Sequence, residues 1–299
     1  MKKINKFLKD NKKILLFAVF LLVFVSACTS VRNSDGTIDP SKLIYLDTPY
    51  MDSISEGWFN IIVWPVAQLI NLVAKYLDAG WGIIIVTILI NLVTAAMSIK
   101  QQVATQKMQM IQPEQQRIQA KYEGKTDQAS KMRQAQELQN LYKKHDINPM
   151  GSLVTMFIQL PVILAVYQAV MRADSVYKGE FMGVDLTTTP MQGITKGQIA
   201  IIIIFALMVI FQFVSLKLPQ YLAKKRKENS NIKTKDYANP KDKKGGMQGS
   251  MNMMMYMSVG MIVIFAINWP LGMSFYWLVS AFTRIIQNIV IQKFFIKDM

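Results

Sequence analysis

Two stripes of polar side chains run through long apolar segments of this 299-residue chain. In WGIIIVTILINLVTAAMSIKQ, residues 81–101, Thr87, Asn91, Thr94 and Ser98 recur at intervals of four, three and four. That spacing puts them on one face of a helix. In the last apolar segment Tyr276, Ser280, Arg284 and Gln287 recur at four, four and three, with Thr283 beside them. A shorter stripe, Ser152, Thr155 and Gln159, precedes Pro161, and Gln212 stands in another apolar segment. The chain holds no HExxH, GxSxG or P-loop pattern, one histidine (His145) and one cysteine (Cys28). Hydrolysis, metal catalysis and phosphate chemistry therefore lack their residues, and a function that is not enzymatic and needs no cofactor or metal is expected.

Amides, hydroxyls and a guanidinium can hold water, or one another, at a depth where acyl chains offer no hydrogen bond. Arg284 is the only formal charge in the interior of any apolar segment, about 20 Å along the helix from Leu271. A charge there costs several kcal/mol unless hydrated or paired, and no Asp or Glu lies in any of these segments to pair with it. Two explanations remain open on the residues alone. Arg284 snorkels to the near surface while the stripes glue helices together, or the stripes line a water-filled groove that opens inward.

Stepping outward from the stripes, the elements that position them read as membrane spans. Hydrophobic residues make up 52% of the chain and the mean hydropathy is +0.22, too apolar for an ordinary soluble domain. About 20 residues cross a hydrocarbon core of about 30 Å, and five segments qualify: 80–99, 148–171, 198–216, 250–268 and 271–294. A net charge of +15 lies mostly beside these segments, so it orients the chain in the bilayer. Nine Lys/Arg between residues 100 and 146 mark that loop as cytoplasmic. The 172–197 loop, with three basic residues, is expected outside, and the basic 217–249 loop and 295–299 tail inside.

The remaining segments have their own signatures. Six lysines, the apolar run Ile14–Val25 and Val-Ser-Ala-Cys at 25–28 have the layout of an export signal, residues 1–27. Residues 28–53 are polar and turn-rich and read as a tether with no chemistry. Residues 54–79 carry apolar positions at helical spacing with Asn60, Gln68, Asn71 and Lys75 between them, an amphipathic helix on the outer surface rather than a sixth span. Helix formers on both sides of Gly124-Lys125-Thr126-Asp127 predict a helical hairpin over 100–147, mostly a solvated charged face, whose methionines could also make adaptable contacts. The Met-rich start of 250–268 reads as core filling or as a pliable binding surface.

The order and several local sequences resemble the YidC family of membrane protein insertases in its Gram-positive, five-span lipoprotein form. The resemblance is carried by IIIVTILI running into KQ (83–101), QPEQQRIQAKY (112–122), NP followed by IQLPVILAVYQAVMR (148–172), and PLGMSFYW with Gln287 downstream (270–287). Residues 25–28 are similar to a lipobox, which implies lipidation (palmitate) of Cys28 and an N-terminus anchored outside a bacterial cell membrane. The resemblance implies an all-α polytopic fold of five spans around a cytoplasm-open hydrophilic groove, lined here by Thr87, Asn91, Thr94, Ser152, Thr155, Gln159, Gln212, Tyr276, Ser280, Arg284 and Gln287. It implies insertion and chaperoning of nascent membrane proteins by a monomer, with lipids, the ribosome, the signal-recognition receptor and the Sec translocon as partners. One departure is specific. The family's first span normally carries a groove arginine, where this chain has Asn91, and a nearby proline, where it has Ala95 or Ala96. Arg284 is expected to supply that charge. A divergent paralogue acting as an assembly scaffold, and a channel or solute transporter, remain as alternatives.

Overall fold

The computed structural model describes residues 39–55, 57, 60–147, 151–229 and 247–294. Cys28 and the export-signal reading lie outside the described residues. The fold is nearly all helical. In chain order come a 3-10 turn at Pro40–Lys42, α1 (Tyr50–Ser55), α2 (Asn60–Ala74), α3 (Ala79–Met110), α4 (Gln112–Lys121), α5 (Gln128–Lys144), α6 (Gly151–Arg172) and α7 (Asp174–Lys178). A two-stranded antiparallel ribbon, β1 (Glu180–Phe181) and β2 (Val184–Asp185), leads to α8 (Pro190–Thr195), α9 (Ile199–Asn229), α10 (Met247–Asn268) and α11 (Leu271–Phe294). Among the described residues three stretches are long and apolar enough to cross a membrane: Ala79–Ala96, Ile199–Leu222 and Leu271–Phe294.

α3 begins where the Asp78 carboxylate accepts the Trp81 N–H at 3.0 Å, satisfying a donor that the first helical turn would leave open. It then runs unbroken to Met110, past the expected end of the first span at residue 99. The reason is in the sequence: no Gly or Pro occurs between Gly82 and Pro113, so nothing breaks the helix when its side chains turn from apolar to polar. Pro113 falls in the first turn of α4, where its missing N–H costs nothing. α4 and α5 fold back on each other across Gly124, whose positive φ of 79° suits a residue without a Cβ. Asp127 caps α5 through Ser130 N at 2.8 Å, and Ile111, Leu141 and Ile147 form a small core at the hairpin's root.

The main core gathers at the opposite end of the bundle. Val63, Ala67 and Ile70 of α2, Ile83 of α3, Ala169 and Val170 of α6, Phe181 of the ribbon, Ile201 of α9 and Leu271, Met273 and Phe275 of α11 belong to one buried cluster. Two glycines permit it. At Gly80 a Cβ would overlap the Phe181 ring, and at Gly272 it would come within 2.8 Å of Val170 Cγ1. The Phe181 ring packs edge-on against Phe275, centroids 5.0 Å apart, and against Trp81 at 6.2 Å. The 179–189 loop also accepts the first N–H groups of α11, from Leu271 to Thr188 O (2.9 Å) and from Gly272 to Leu186 O (3.1 Å).

α2 uses its amphipathic character in an unusual direction. Ile61, Ile62, Leu69 and Leu72 are exposed, while Asn60 and Asn71 are buried. Its polar side chains thus turn toward the protein, where they meet residues 44–53. The stretch read from sequence as a tether is, from residue 39 onward, built into the fold: Ile44 pairs with Ala173 as an isolated parallel bridge.

Candidate functional site

Helices α3, α6 and α11 bring the two main stripes face to face. The Asn91 side-chain amide on α3 donates to Ser280 Oγ on α11 at 3.1 Å, and the Gln287 amide of α11 donates back to the Asn91 carbonyl at 3.4 Å. Thr94 Oγ1 also donates to that carbonyl, at 3.2 Å, as well as to Ile90 O at 2.8 Å. From α6, the Gln159 amide donates to the Tyr276 hydroxyl at 3.3 Å. Asn91, Gln159, Ser280, Tyr276 and Gln287 therefore form cross-helix contacts, as stripes of matching depth should.

The other expected residues fall differently. Thr87 is buried and donates to Ile83 O of its own helix at 2.6 Å, so its hydroxyl is spent locally. Thr283 does the same with Val279 O at 2.8 Å. For Ser152 and Thr155 the backbone lies in α6 but the side chains are outside the described residues, as is that of Ser98. Gln212 is buried on α9, and its carbonyl accepts from Ser215 Oγ at 2.8 Å. Ser215 itself belongs to a different polar junction.

This second junction escaped the reading of the sequence. Gln106 on α3 donates to Asn288 Oδ1 on α11 at 3.2 Å, and Asn288 Nδ2 donates to Ser215 O on α9 at 3.4 Å. All three residues are buried, and among the described residues Gln106 Oε1 has no hydrogen-bond partner. By sequence Gln106 falls within the expected 100–147 hairpin, with nothing to set it apart. Asn288, next to Gln287, lies on a neighbouring face of the same helix, and the continuation of α3 beyond residue 99 is the signal that would have joined them.

Arg284 lies one helical turn beyond Ser280 toward the α4–α5 end, half-buried. Among the described residues no carboxylate pairs with it. The arrangement is thus graded along the bundle axis. At the α2 end, Tyr276 is 1% exposed and lies in the apolar cluster. A turn or two further, Asn91, Thr94, Thr283, Arg284 and Gln287 are all only partly buried. Chemically such a site offers hydrogen-bond donors, acceptors and one positive charge, and no nucleophile paired with a base.

Outside the bundle, the α4–α5 hairpin carries its own electrostatic tie. Glu137 accepts from Lys121 and from the Tyr122 hydroxyl, the latter at 2.8 Å. The Lys121 hydrogen bond, followed by that of Tyr122, holds the Glu137 carboxyl below its ordinary value.

Comparison with known proteins gives the same direction over nearly the whole chain. The family model described as 60Kd inner membrane protein matches residues 70–298. The chain is 30% identical over 287 residues to "Membrane protein insertase MisCA" of Bacillus subtilis (strain 168), covering 95% of this chain and 92% of that one. It is 28% identical over 287 residues to "Membrane protein insertase YidC 2" of Bacillus anthracis, with 95% and 94% covered. A YidC of Oceanobacillus iheyensis matches at 28% over 282 residues, covering 94% and 95%. With the family model covering α3 to α11 and relatives matched almost end to end, the chain belongs to the 60Kd inner membrane protein family, which includes YidC and MisCA.

Proposed function

We propose that this protein is a membrane protein insertase that passes the polar flank of a nascent segment through a hydrated groove while its apolar part moves into lipid. Five spans carry it: the first in α3, then α6, α9, α10 and α11, with the α2 end outside the cell and the α4–α5 hairpin in the cytoplasm. Cys28 is the acylated residue of a lipoprotein. The groove lies between α3, α6 and α11; Asn91, Gln159, Ser280, Arg284 and Gln287 line it, and Tyr276 marks its closed end. Thr94, on the same face of α3, borders it.

The observation that carries this reading is the partly buried Arg284, without a carboxylate partner among the described residues, beside the Asn91–Ser280–Gln287 contacts, with an apolar core closing the bundle at the α2 end. A guanidinium without a carboxylate needs water or a passing anion to offset its desolvation. Water drawn in from the hairpin side thins the low-dielectric layer that a client's charged tail must cross, so the barrier falls without ATP. Arg284 attracts acidic residues in that tail and takes the role of the positive charge missing at Asn91, one turn nearer the cytoplasm. The basic 217–249 stretch, whose first part continues α9 to Asn229, and the C-terminal tail favour ribosomes or acidic targeting partners.

Site-specific crosslinking from residues 91 and 284 to a stalled nascent chain tests this reading. Both positions should crosslink to the polar flank of the client. Crosslinks to lipid alone, from both, would overturn the groove. Vesicles holding the purified protein should not pass ions in the absence of a nascent chain, and a steady ion current would favour a channel instead.

A further inference from the structure

The mouth of α2 is closed by a piece of chain that precedes it. Three N–H donors on the inward side of α2 each meet a main-chain carbonyl of residues 44–48. The Trp64 indole donates to Thr48 O at 3.0 Å, the Gln68 amide to Tyr45 O at 2.7 Å and the Asn71 amide to Ile44 O at 2.6 Å. On its other side the same segment is stitched to the α6–α7 corner, with Ile44 N donating to Arg172 O at 2.7 Å and Asp174 N to Ile44 O at 3.2 Å. The Ile44 side chain, 2% exposed, belongs to the same cluster as Val63, Ala67, Ile70 and Ala173.

We propose that residues 39–48 act as a strap that keeps the α2 end of the bundle shut. The reasoning starts from the inverted face of α2. Its exposed side is apolar and suits lipid, and its inward side carries amides that need acceptors. The strap supplies those acceptors from its own main chain, at Ile44, Tyr45 and Thr48. Without it, the buried Asn71 amide and the part-buried Trp64 and Gln68 donors lose their acceptors. α2 then rolls to bring them to water, which lifts Val63, Ala67 and Ile70 away from Ile83 and Ala169. The strap is thus a positioning element for the groove: it does not touch a client, but it keeps the groove open on one side only. Asn71 also holds the corner, since its Oδ1 accepts from Ser175 N at 3.1 Å and Ser175 Oγ at 2.7 Å.

The inference rests on the outward placement of the α2 end, and sided thiol labelling separates the two. A cysteine placed by Asn91→Cys is exposed to a membrane-impermeant maleimide from either side of the membrane, and modification is read by mass on the peptide carrying residue 91. With the strap intact, labelling should occur from the cytoplasmic side only, and Ile44→Val should keep that pattern. Ile44→Pro, which removes the N–H given to Arg172 O, and Asn71→Leu, which removes the side-chain donor and keeps an apolar shape, should each raise labelling from outside at least tenfold while cytoplasmic labelling persists. The strap is overturned if both variants stay within twofold of the reporter alone. It is equally overturned if cytoplasmic labelling vanishes with no gain from outside, because the whole bundle rather than its closed end has then failed. A reporter already labelled freely from outside overturns the strap and the inward-opening groove together, whereas failure of the strap alone leaves the groove standing.

Discussion

The two ends of this bundle solve opposite problems with the same helices. At the α2 end, apolar side chains interlock over Gly80 and Gly272, and polar groups such as Asn71 and Asn60 are tied to main-chain or side-chain partners at 2.6 to 3.1 Å. Toward the α4–α5 end, the cross-helix hydrogen bonds of Asn91 with Ser280 and Gln287 are 3.1 and 3.4 Å, and among the described residues no carboxylate pairs with Arg284. Tight apolar packing resists deformation and leaves no room for water. Longer, partly exposed polar contacts exchange readily with water or with an incoming polar group. The contrast teaches that a helix bundle can be dry and rigid at one level and adaptable two turns away, simply by changing which residues repeat every seven positions.

The largest effect should come from breaking the dry end. Gly80→Leu forces a side chain into the Phe181 ring and should cost at least about 1–3 kcal/mol, read as a lower melting temperature of the detergent-solubilised protein. An unchanged melting temperature would mean that this packing does not hold the end together. At the adaptable end, Arg284→Ala should leave the melting temperature nearly unaltered but slow insertion of a client with two acidic residues in its translocated tail about tenfold, ~1.4 kcal/mol in barrier. Arg284→Lys should retain most of the activity in a depletion and complementation assay, and full activity of the alanine variant would remove the arginine from the mechanism.

The second polar junction sharpens the comparison, because it lies deep yet is only half satisfied. Asn288→Leu removes the side-chain acceptor of the Gln106 amide, leaves it only the 3.5 Å contact to the main-chain carbonyl of residue 288, and should destabilise by about 1–3 kcal/mol. Adding Gln106→Leu should recover much of that loss, since replacing both partners removes the unmet group. Strictly additive losses in the melting temperature would refute the coupling. The smallest effect belongs to the exposed hairpin. Glu137 is held below its ordinary value by Lys121 and Tyr122, so its contribution is present above the unfolded-state value and is lost as pH falls through the lowered folded one. Hydrogen exchange of α4 and α5 amides should quicken through that acidic window, and Glu137→Gln should abolish the dependence; solvent screening keeps the effect small.

What the sequence disclosed depended on periodicity. The stripes could be paired before any coordinates because Asn91, Ser280 and Gln287 recur at helical spacing within apolar runs, and a polar group in such a run must find a partner. Periodicity was silent where the signal is non-local. Nothing in the irregular 39–48 stretch announces that its carbonyls meet Trp64, Gln68 and Asn71, since main-chain acceptors have no side-chain signature. The ribbon that carries Phe181 is only two residues per strand, too short for an alternating pattern, and the need for Gly80 opposite it is invisible until the ring is in place. α2 was legible as amphipathic, but a polar face reads the same whether it meets water or buried carbonyls.

The closed end also has a consequence for how the molecule is made. Its cluster takes Ile44 from near the start of the described chain, Phe181 from the middle and Met273 to Trp277 from the final helix. Translation delivers those pieces in that order, so every shorter nascent form lacks part of the plug. The cluster is therefore complete only once the last described helix is in place, and its assembly depends on contacts far apart in sequence.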